Sequence, residues 1–337
     1  MKILQKYKKL SNSQKVKLIL IIGIAIRLVL MPFFAHIDIM STYERAYDVA
    51  FEGRSLFGLG QQLSHLIEVI NLKIYSLFIS PEKLLPFATT RETNPLVNLH
   101  LFVFKIPYLV FDLIGFYLIK RFLTSKKHKL HALAFYFLNP ILIFAVYIFG
   151  RYETFPIVFL LVTLLLVKNK KEIWSGVSFS LLLFTRTSFL MILPVYILTA
   201  GKNWTQKIIM TLVATLPFVL SIWAKSFFLH STAEAKWLTQ GTHGSYIFEN
   251  SVQVLPIFPN VLLYPFVIGF SIICFYALYS WLKGKRDWKT MAIFMSMTFA
   301  LFFSVNIFHP QYLAWIVPLL ALTLMEKKGS REILYLV

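Results

Sequence analysis

The chain has 337 residues, of which 58% are hydrophobic and only 15% are charged, and its formal net charge is +19. Because an average soluble protein has roughly 25% charged residues, this composition excludes an ordinary soluble globule. The single cysteine, Cys274, excludes a disulfide framework within one chain.

Apolar stretches recur along the whole chain. A helix of about 20 apolar residues crosses a hydrocarbon layer roughly 30 Å thick. The sequence therefore predicts an all-α, polytopic membrane protein with about ten transmembrane helices, some of them short, in a single membrane-embedded domain over 1–337. The predicted spans are 17–35, 101–119, 132–149, 154–167, 173–185, 187–200, 208–224, 258–282, 290–307 and 313–325.

Lysine and arginine concentrate in alternate segments, at 1–18, 120–129, 168–171, 202–207, 283–289 and 327–331. The intervening segments are close to neutral. The positive-inside rule therefore predicts cytoplasmic N- and C-termini, and membrane lipids rather than nucleic acid as partners. Arg27 interrupts the first apolar run, which favours an uncleaved signal anchor. The Lys-rich, Cys-poor composition favours a bacterial plasma membrane over an endoplasmic reticulum.

Two predicted outer loops are long, 36–100 and 225–257. In the first loop, apolar residues recur at helical spacing and predict an amphipathic helix. Such a helix either lies along the membrane surface or packs over the helix bundle, and the sequence does not decide between these placements. The apolar positions are Leu63, Leu66, Ile67, Ile70, Ile74 and Leu77.

Asp38 follows the first predicted span, at the outer boundary of the membrane. A carboxylate there is a candidate general base toward a sugar hydroxyl, and the alternative is a solvated acid at a span end. His36 is a secondary candidate. Glu44 and Asp48 follow at four-residue spacing and are also secondary candidates, although such a pattern is typical of a solvated helix face.

Polar residues also lie at the predicted outer ends of later spans. Arg151 is a candidate phosphate ligand because its guanidinium offers several planar N–H donors, and Glu153 is positioned to orient it. The alternative is a local Arg–Glu pair that ties two helix ends. Arg186 splits a long apolar run, so it lies at a surface, as a snorkelling side chain, or faces a polar cavity.

The polar segment before the last predicted span contains three further candidates for hydrogen bonding to a lipid phosphate or a sugar: His309, Gln311 and Tyr312. Lys105 and Asp112 lie deeper, on one face of the second predicted span, where we expect a structural use. No cofactor is expected. A divalent metal has no support, because His65 and Glu68 lack further predicted ligands, and no glycine-rich phosphate loop is present.

Five motifs in order resemble the GT-C superfamily, the membrane glycosyltransferases that use polyprenyl-phosphate sugars. The similarity is greatest to the GPI-mannosyltransferase-like and bacterial polyprenyl-phosphate-mannose branch. Two departures are the His36-x-Asp38 arrangement, where the family often has an acidic pair, and Glu153, where the family has Asp. The motifs lie in Asp38–Phe57, Phe104–Asp112, Leu138–Pro140 with Gly150–Glu153, Thr185–Pro194 and Gln311–Pro318.

The resemblance implies a GT-C-like fold and an inverting transfer of a hexose, with mannose favoured, outside the cytoplasm. The donor is a polyprenyl-phosphate sugar, and the acceptor is a hydroxyl of a glycan, a lipid or a protein. Asp38 is then the catalytic carboxylate, and the polar outer residues hold the donor phosphate. A transporter or flippase of a lipid-linked saccharide is the main alternative, and a structural subunit of an envelope-assembly complex is another.

Overall fold

The computed structural model describes residues 10–84, 95–229, 252–253, 262–305 and 309–324. This part of the chain is helical, apart from a two-residue antiparallel pairing of β1 (Val252–Gln253) with β2 (Leu262–Leu263). The predicted all-α class is therefore confirmed there. The chain divides into two compact units, whereas a single domain over 1–337 stays a prediction. The first unit is Met1–Leu56, Leu63–Leu161 and Pro310–Val337, and the second is Phe57–Gln62 and Val162–His309.

The helices follow one another with short connections. Short 3-10 turns lie at Leu56–Gly58, Pro81–Leu84, Thr187–Ile192 and Pro310–Trp315, and a π-helical turn lies at Phe144–Ile148. The α-helices are α1 (Asn12–Leu30), α2 (Ile37–Phe51), α3 (Gln62–Tyr75), α4 (Val97–Phe104), α5 (Ile106–Phe122), α6 (Lys126–Phe137), α7 (Pro140–Ile143), α8 (Thr154–Lys168), α9 (Glu172–Thr185), α10 (Leu193–Thr199), α11 (Trp204–Leu229), α12 (Pro265–Leu282), α13 (Trp288–Val305) and α14 (Ile316–Thr323).

Local sequence signals explain several helix starts. Ser11 and Gln14 form a reciprocal capping box at the start of α1. Asn139 caps α7 through its side-chain oxygen, and Pro140 occupies the first helical position. Pro265 occupies the same position in α12. Proline suits this position because the missing N–H has no helical partner there in any case.

Five helical stretches in the described ranges are long and apolar enough to cross a membrane: Val97–Phe122, His128–Ile148, Trp204–Lys225, Pro265–Leu282 and Trp288–Val305. Thr154–Lys168, Glu172–Thr185, Thr187–Thr199 and Pro310–Thr323 are apolar but shorter. Helix α1 is long, but it carries Lys15, Lys17 and Arg27. A count of ten spans is therefore not confirmed.

A buried ion pair connects α1 with α5 in the first unit. Arg27 Nε donates to Asp112 Oδ2 at 2.6 Å, and both side chains are fully buried. Arg27 Nη1 also donates to the carbonyl of Phe137 at 2.8 Å. A Cβ at Gly23 would overlap the Phe137 ring, so this glycine allows α1 to approach α6 closely. Both charged residues are evident in the sequence, but the sequence does not show that they form an ion pair.

Lys105 lies at the break between α4 and α5. Its ammonium donates to the backbone carbonyls of Phe34 at 2.6 Å and Tyr147 at 2.8 Å. The side chain therefore joins three parts of the first unit through backbone acceptors. These contacts agree with the expected structural use of Lys105.

The amphipathic helix predicted in the first outer loop is α3, which buries one face and exposes several apolar side chains on the other. Its inward face holds the buried His65, Glu68, Leu72 and Tyr75, whereas Leu66, Ile70 and Ile74 are exposed. An apolar face turned away from the protein is typical of a helix in the membrane interface. Within the first unit, α3 packs through its buried face, and the placement of its exposed apolar face along the membrane surface stays a prediction.

Several basic turns of the second unit meet at one end, which we call the basic end (168–171, 200–203 and 283–287). The indole N–H of Trp281 donates to the carbonyl of Gly201 at 2.7 Å. Arg286 Nη1 donates to the carbonyl of Lys202 at 2.6 Å. These bonds join the turn before α11 to the end of α12 and to the turn before α13.

Several tryptophan side chains lie at the basic end. The ammonium of Lys168 lies 5.7 Å from the ring centroid of Trp288, which places the turn before α9 there as well. Trp174 and Trp204 are exposed near the starts of α9 and α11. Exposed tryptophan beside lysine is typical of a membrane–water interface.

Candidate functional site

The start of α2 positions Asp38. His36 is the N-cap of this helix, and its Nδ1 accepts the backbone N–H of Asp38 at 3.2 Å. The imidazole stacks on the Phe149 ring with a centroid separation of 3.8 Å. Asp38 therefore lies in the first turn of α2, where the helix macrodipole attracts a negative charge.

The turn after the π-helical residues approaches the same helix start. Gly150 has φ +81°, a conformation that glycine adopts without steric cost. A Cβ at this position would lie 2.9 Å from the Cβ of Ile39, which follows Asp38. The glycine thus allows the backbone before Arg151 to contact α2.

Arg151 lies between two carboxylates. Its Nη1 is 3.6 Å from Asp38 Oδ2, and its Nε is 3.8 Å from Glu153 Oε1. The side chain of Asp38 is 34% exposed, that of Arg151 is 14% exposed and that of Glu153 is fully buried. Both separations exceed ordinary hydrogen-bond lengths, so Asp38 is an accessible carboxylate beside a largely buried cation.

Glu153 is held from the other side by the C-terminal part of the first unit. Trp315 donates its indole N–H to Glu153 Oε2 at 2.6 Å. Tyr312 stacks on Trp315 with a centroid separation of 4.6 Å. The 3-10 turn Pro310–Trp315 therefore adjoins the Arg151–Glu153 pair, and its Gln311 side chain is buried too.

A second polar group lies beneath α3. Glu68 is fully buried, its Oε2 lies 3.1 Å from His65 Nδ1, and its Oε1 accepts the hydroxyl of Tyr108 at 2.9 Å. Burial raises the pKa of the Glu68 carboxyl above its usual range, and the contacts with His65 and Tyr108 offset part of this rise. This group anchors the polar face of α3 to α5.

The predicted site residues fall into two sets. Asp38, His36, Arg151, Glu153, Gln311 and Tyr312 belong to the first unit, whereas Arg186 and His309 belong to the second. Arg186 is buried, and its Nη1 donates to Gln61 Oε1 at 3.2 Å. His309 is partly exposed.

The two secondary acids on α2 lie away from its first turn. Glu44 is exposed, and Asp48 accepts a hydrogen bond from Arg54 Nη1 at 2.9 Å. Of the second predicted outer loop, 225–257, only 225–229 and 252–253 lie within the described residues. Within the described ranges, no group of three or more His, Cys, Asp or Glu residues is arranged to hold a metal ion.

Sequence reasoning assigned no role to Trp315 or to the group formed by His65, Glu68 and Tyr108. Trp315 lies in an aromatic-rich apolar segment, where its spacing alone resembles ordinary packing. The helical periodicity of this segment does place Glu68 opposite its apolar positions, on the polar side of the helix. That signal did not indicate which side faces the protein.

Comparisons with known proteins leave the family open. No protein-family model, no curated protein and no solved structure matches this chain.

Proposed function

We propose that this protein is a membrane glycosyltransferase of the GT-C type. It transfers a hexose, with mannose favoured by the motif resemblance, from a polyprenyl-phosphate donor to an acceptor hydroxyl on the extracytoplasmic side. The single observation that carries the proposal is the accessible Asp38 carboxylate, which lies 3.6 Å from the largely buried Arg151. Asp38 and Arg151 together provide the negative charge of a base and the positive charge that stabilises a leaving phosphate.

The chemistry follows from those two charges. The ionised carboxylate of Asp38 accepts the proton of the acceptor hydroxyl, and the acceptor oxygen forms a bond to C1 of the sugar. The bond between C1 and the phosphate oxygen breaks, and its electron pair leaves with the phosphate. The attack comes from the opposite face, so the configuration at C1 inverts. A single carboxylate suffices, unlike the pair of a typical glycosidase.

Arg151 is the proposed electrostatic partner of the leaving phosphate. A guanidinium offers several planar donors, and a fixed cation stabilises charge that develops in the transition state. Glu153, held by Trp315, restrains Arg151 from the buried side. Gln311 and Tyr312 are proposed to contact the donor sugar or phosphate from the adjoining 3-10 turn. Arg186 is proposed as a further donor ligand on the strength of the motif resemblance, and His309 is proposed as one because it is a polar residue just before the last motif.

The proposal also includes a membrane placement with about ten spans, cytoplasmic termini and a bacterial plasma membrane. The basic end with its exposed Trp174 and Trp204 supports a cytoplasmic interface at that end of the second unit. The exposed apolar face of α3 supports an interfacial helix in the first outer loop.

A transporter or flippase gains little support from the deep charges. Such a protein needs polar groups along a water-lined path. Arg27 and Asp112 instead bond each other, and Lys105 bonds two backbone carbonyls. These contacts tie helices of the first unit together, and they use the groups that a water-lined path would need.

The decisive experiment replaces Asp38 with Asn in the full-length protein and measures transfer from labelled polyprenyl-phosphate mannose and other polyprenyl-phosphate sugars. Loss of a general base lowers the rate by about 10²- to 10⁴-fold. The matched control is Glu52→Gln, which neutralises an exposed acid just after α2 and leaves transfer unchanged. Full transfer by a well-folded Asp38→Asn variant would remove Asp38 from the mechanism.

A further inference from the structure

Two adjacent cavities follow the contact between α9 and α11. The first, of about 340 Å³, lies at the basic end and is lined by Lys170, Lys171, Trp174 and Gln206, among others. The second, of about 440 Å³, continues along the same two helices and has an almost wholly apolar lining. Both volumes lie in the range of about 300–1,000 Å³ that is usual for ligand sites.

The first cavity, which we call the mouth, and the second, which we call the apolar groove, share one face of α9. Trp174 lines the mouth, and Val177, Leu181 and Phe184 line the groove. Successive spacings of three, four and three residues place these side chains in one stripe along a helix. Between the two cavities the helices touch, because a Cβ at Gly176 would lie 3.2 Å from the carbonyl oxygen of Met210.

The length of this stripe distinguishes between lipids. From Trp174 to Phe184 the helix rises about 15 Å at 1.5 Å per residue. This is half of the roughly 30 Å hydrocarbon core, or the depth of one leaflet. A phospholipid acyl chain spans one leaflet, whereas a long polyprenyl chain exceeds it.

The charges at the mouth indicate the headgroup. Lys170 and Lys171 are exposed there, and Glu172 also lines the cavity, so the mouth remains net positive. Lysine ammonium groups bind phosphate as compact point charges. Along α9, Trp174 lies between Lys171 and the apolar groove, a position that indole side chains favour in membranes.

We propose that the paired cavities between α9 and α11 bind one anionic phospholipid from the leaflet at the basic end. Lys170 and Lys171 contact its phosphate, and one acyl chain lies along the groove. The cavities belong to the second unit, whereas Asp38 belongs to the first, and the inference depends on the membrane placement rather than on the proposed transfer reaction.

Native mass spectrometry of the full-length protein in detergent tests the proposal. Four lipids are added separately and in equimolar competition: phosphatidylglycerol, phosphatidylethanolamine, phosphatidylcholine and polyprenyl phosphate. The wild type retains one phosphatidylglycerol molecule in preference to the two zwitterionic lipids. The Lys170→Gln/Lys171→Gln variant loses this preference by about tenfold. The control Lys283→Gln/Lys285→Gln removes the same charge from the basic end outside the cavities and keeps the preference.

A second variant pair tests the groove. Leu181→Trp fills it and reduces phosphatidylglycerol retention several-fold, whereas Leu220→Trp, at an exposed α11 position outside the lining, has no effect. Equal loss from both lysine pairs would show diffuse attraction and overturn the proposal. Unchanged retention in the Lys170/Lys171 variant, unchanged retention in Leu181→Trp, or displacement by polyprenyl phosphate or phosphatidylethanolamine would also overturn it.

Discussion

The backbone of Gly150 faces the side chain of Ile39 so closely that a Cβ on Gly150 would lie 2.9 Å from the Cβ of Ile39. These residues are the chain neighbours of Arg151 and Asp38. The contact therefore sets how closely the turn that carries the cation approaches the helix that carries the candidate base.

Replacing Gly150 with Ala should weaken both folding and transfer. The residue has φ +81°, so an added Cβ introduces backbone strain of about 1–3 kcal/mol as well as the overlap with Ile39. Gly53→Ala is a matched control, because Gly53 has φ +75° and nothing lies within 4 Å of its added Cβ. Thermal unfolding and transfer assays of both variants separate the strain from the overlap. Equal effects of the two substitutions would refute a positioning role for the contact.

Replacing Trp315 with Phe should destabilise the first unit. The substitution removes the indole N–H that donates to Glu153 Oε2 at 2.6 Å, and it leaves a buried carboxylate oxygen without that donor. The expected loss of unfolding free energy is about 1–3 kcal/mol. Denaturant titration measures it against Trp223→Phe, an exposed tryptophan of α11. A loss no greater than that of the control would mean that the hydrogen bond contributes nothing to stability.

The helices were predictable because the apolar runs are nearly continuous and their ends carry local signals. Each predicted span contains helix within the described residues, although the eighth begins later than predicted, at Pro265, since Leu262–Leu263 pair with Val252–Gln253. A strand of two residues leaves no pattern in the sequence. The number of membrane crossings did not follow from the apolar runs, because the short helices fall below the length that spans a bilayer alone.

The partners of the polar residues were less predictable. Arg27 and Asp112 are 85 positions apart, and Trp315 is 162 positions from Glu153. Periodicity identifies faces within one helix, but it carries no information on which distant face meets which. The grouping of Asp38 with Arg151 was predicted from their common outer side, and the two do lie together in the first unit.

Breaking the buried Arg27–Asp112 pair should be far more costly than removing both charges. Asp112→Asn leaves a buried guanidinium without its counter-ion, with an expected cost of about 3–5 kcal/mol. The double substitution Arg27→Met/Asp112→Leu should recover most of that loss. The surface pair Arg54–Asp48 is the control, because its groups are 50% and 28% exposed and Arg54→Ala should cost less than about 1 kcal/mol. Additive losses in the double-substitution cycle would contradict coupling.

Glu68 should make folding stability depend on pH. Burial raises its pKa in the folded state above the ordinary value of 4.5, so the folded state binds the proton more tightly than the unfolded state. This stabilisation is fully present below 4.5 and is lost as the pH rises through the raised pKa. His65 and Tyr108 stabilise the charged carboxylate and reduce the loss without abolishing it.

Glu68→Gln replaces the carboxyl by a neutral group of similar shape, so its unfolding midpoint should lose this decline with rising pH. Thermal scans between about pH 4 and about pH 8 measure the difference from the wild type. The exposed control Glu52→Gln should keep the wild-type profile. If Glu68→Gln declined with pH as steeply as the wild type, the proton would be bound elsewhere, and burial of Glu68 would not be the source of the pH dependence.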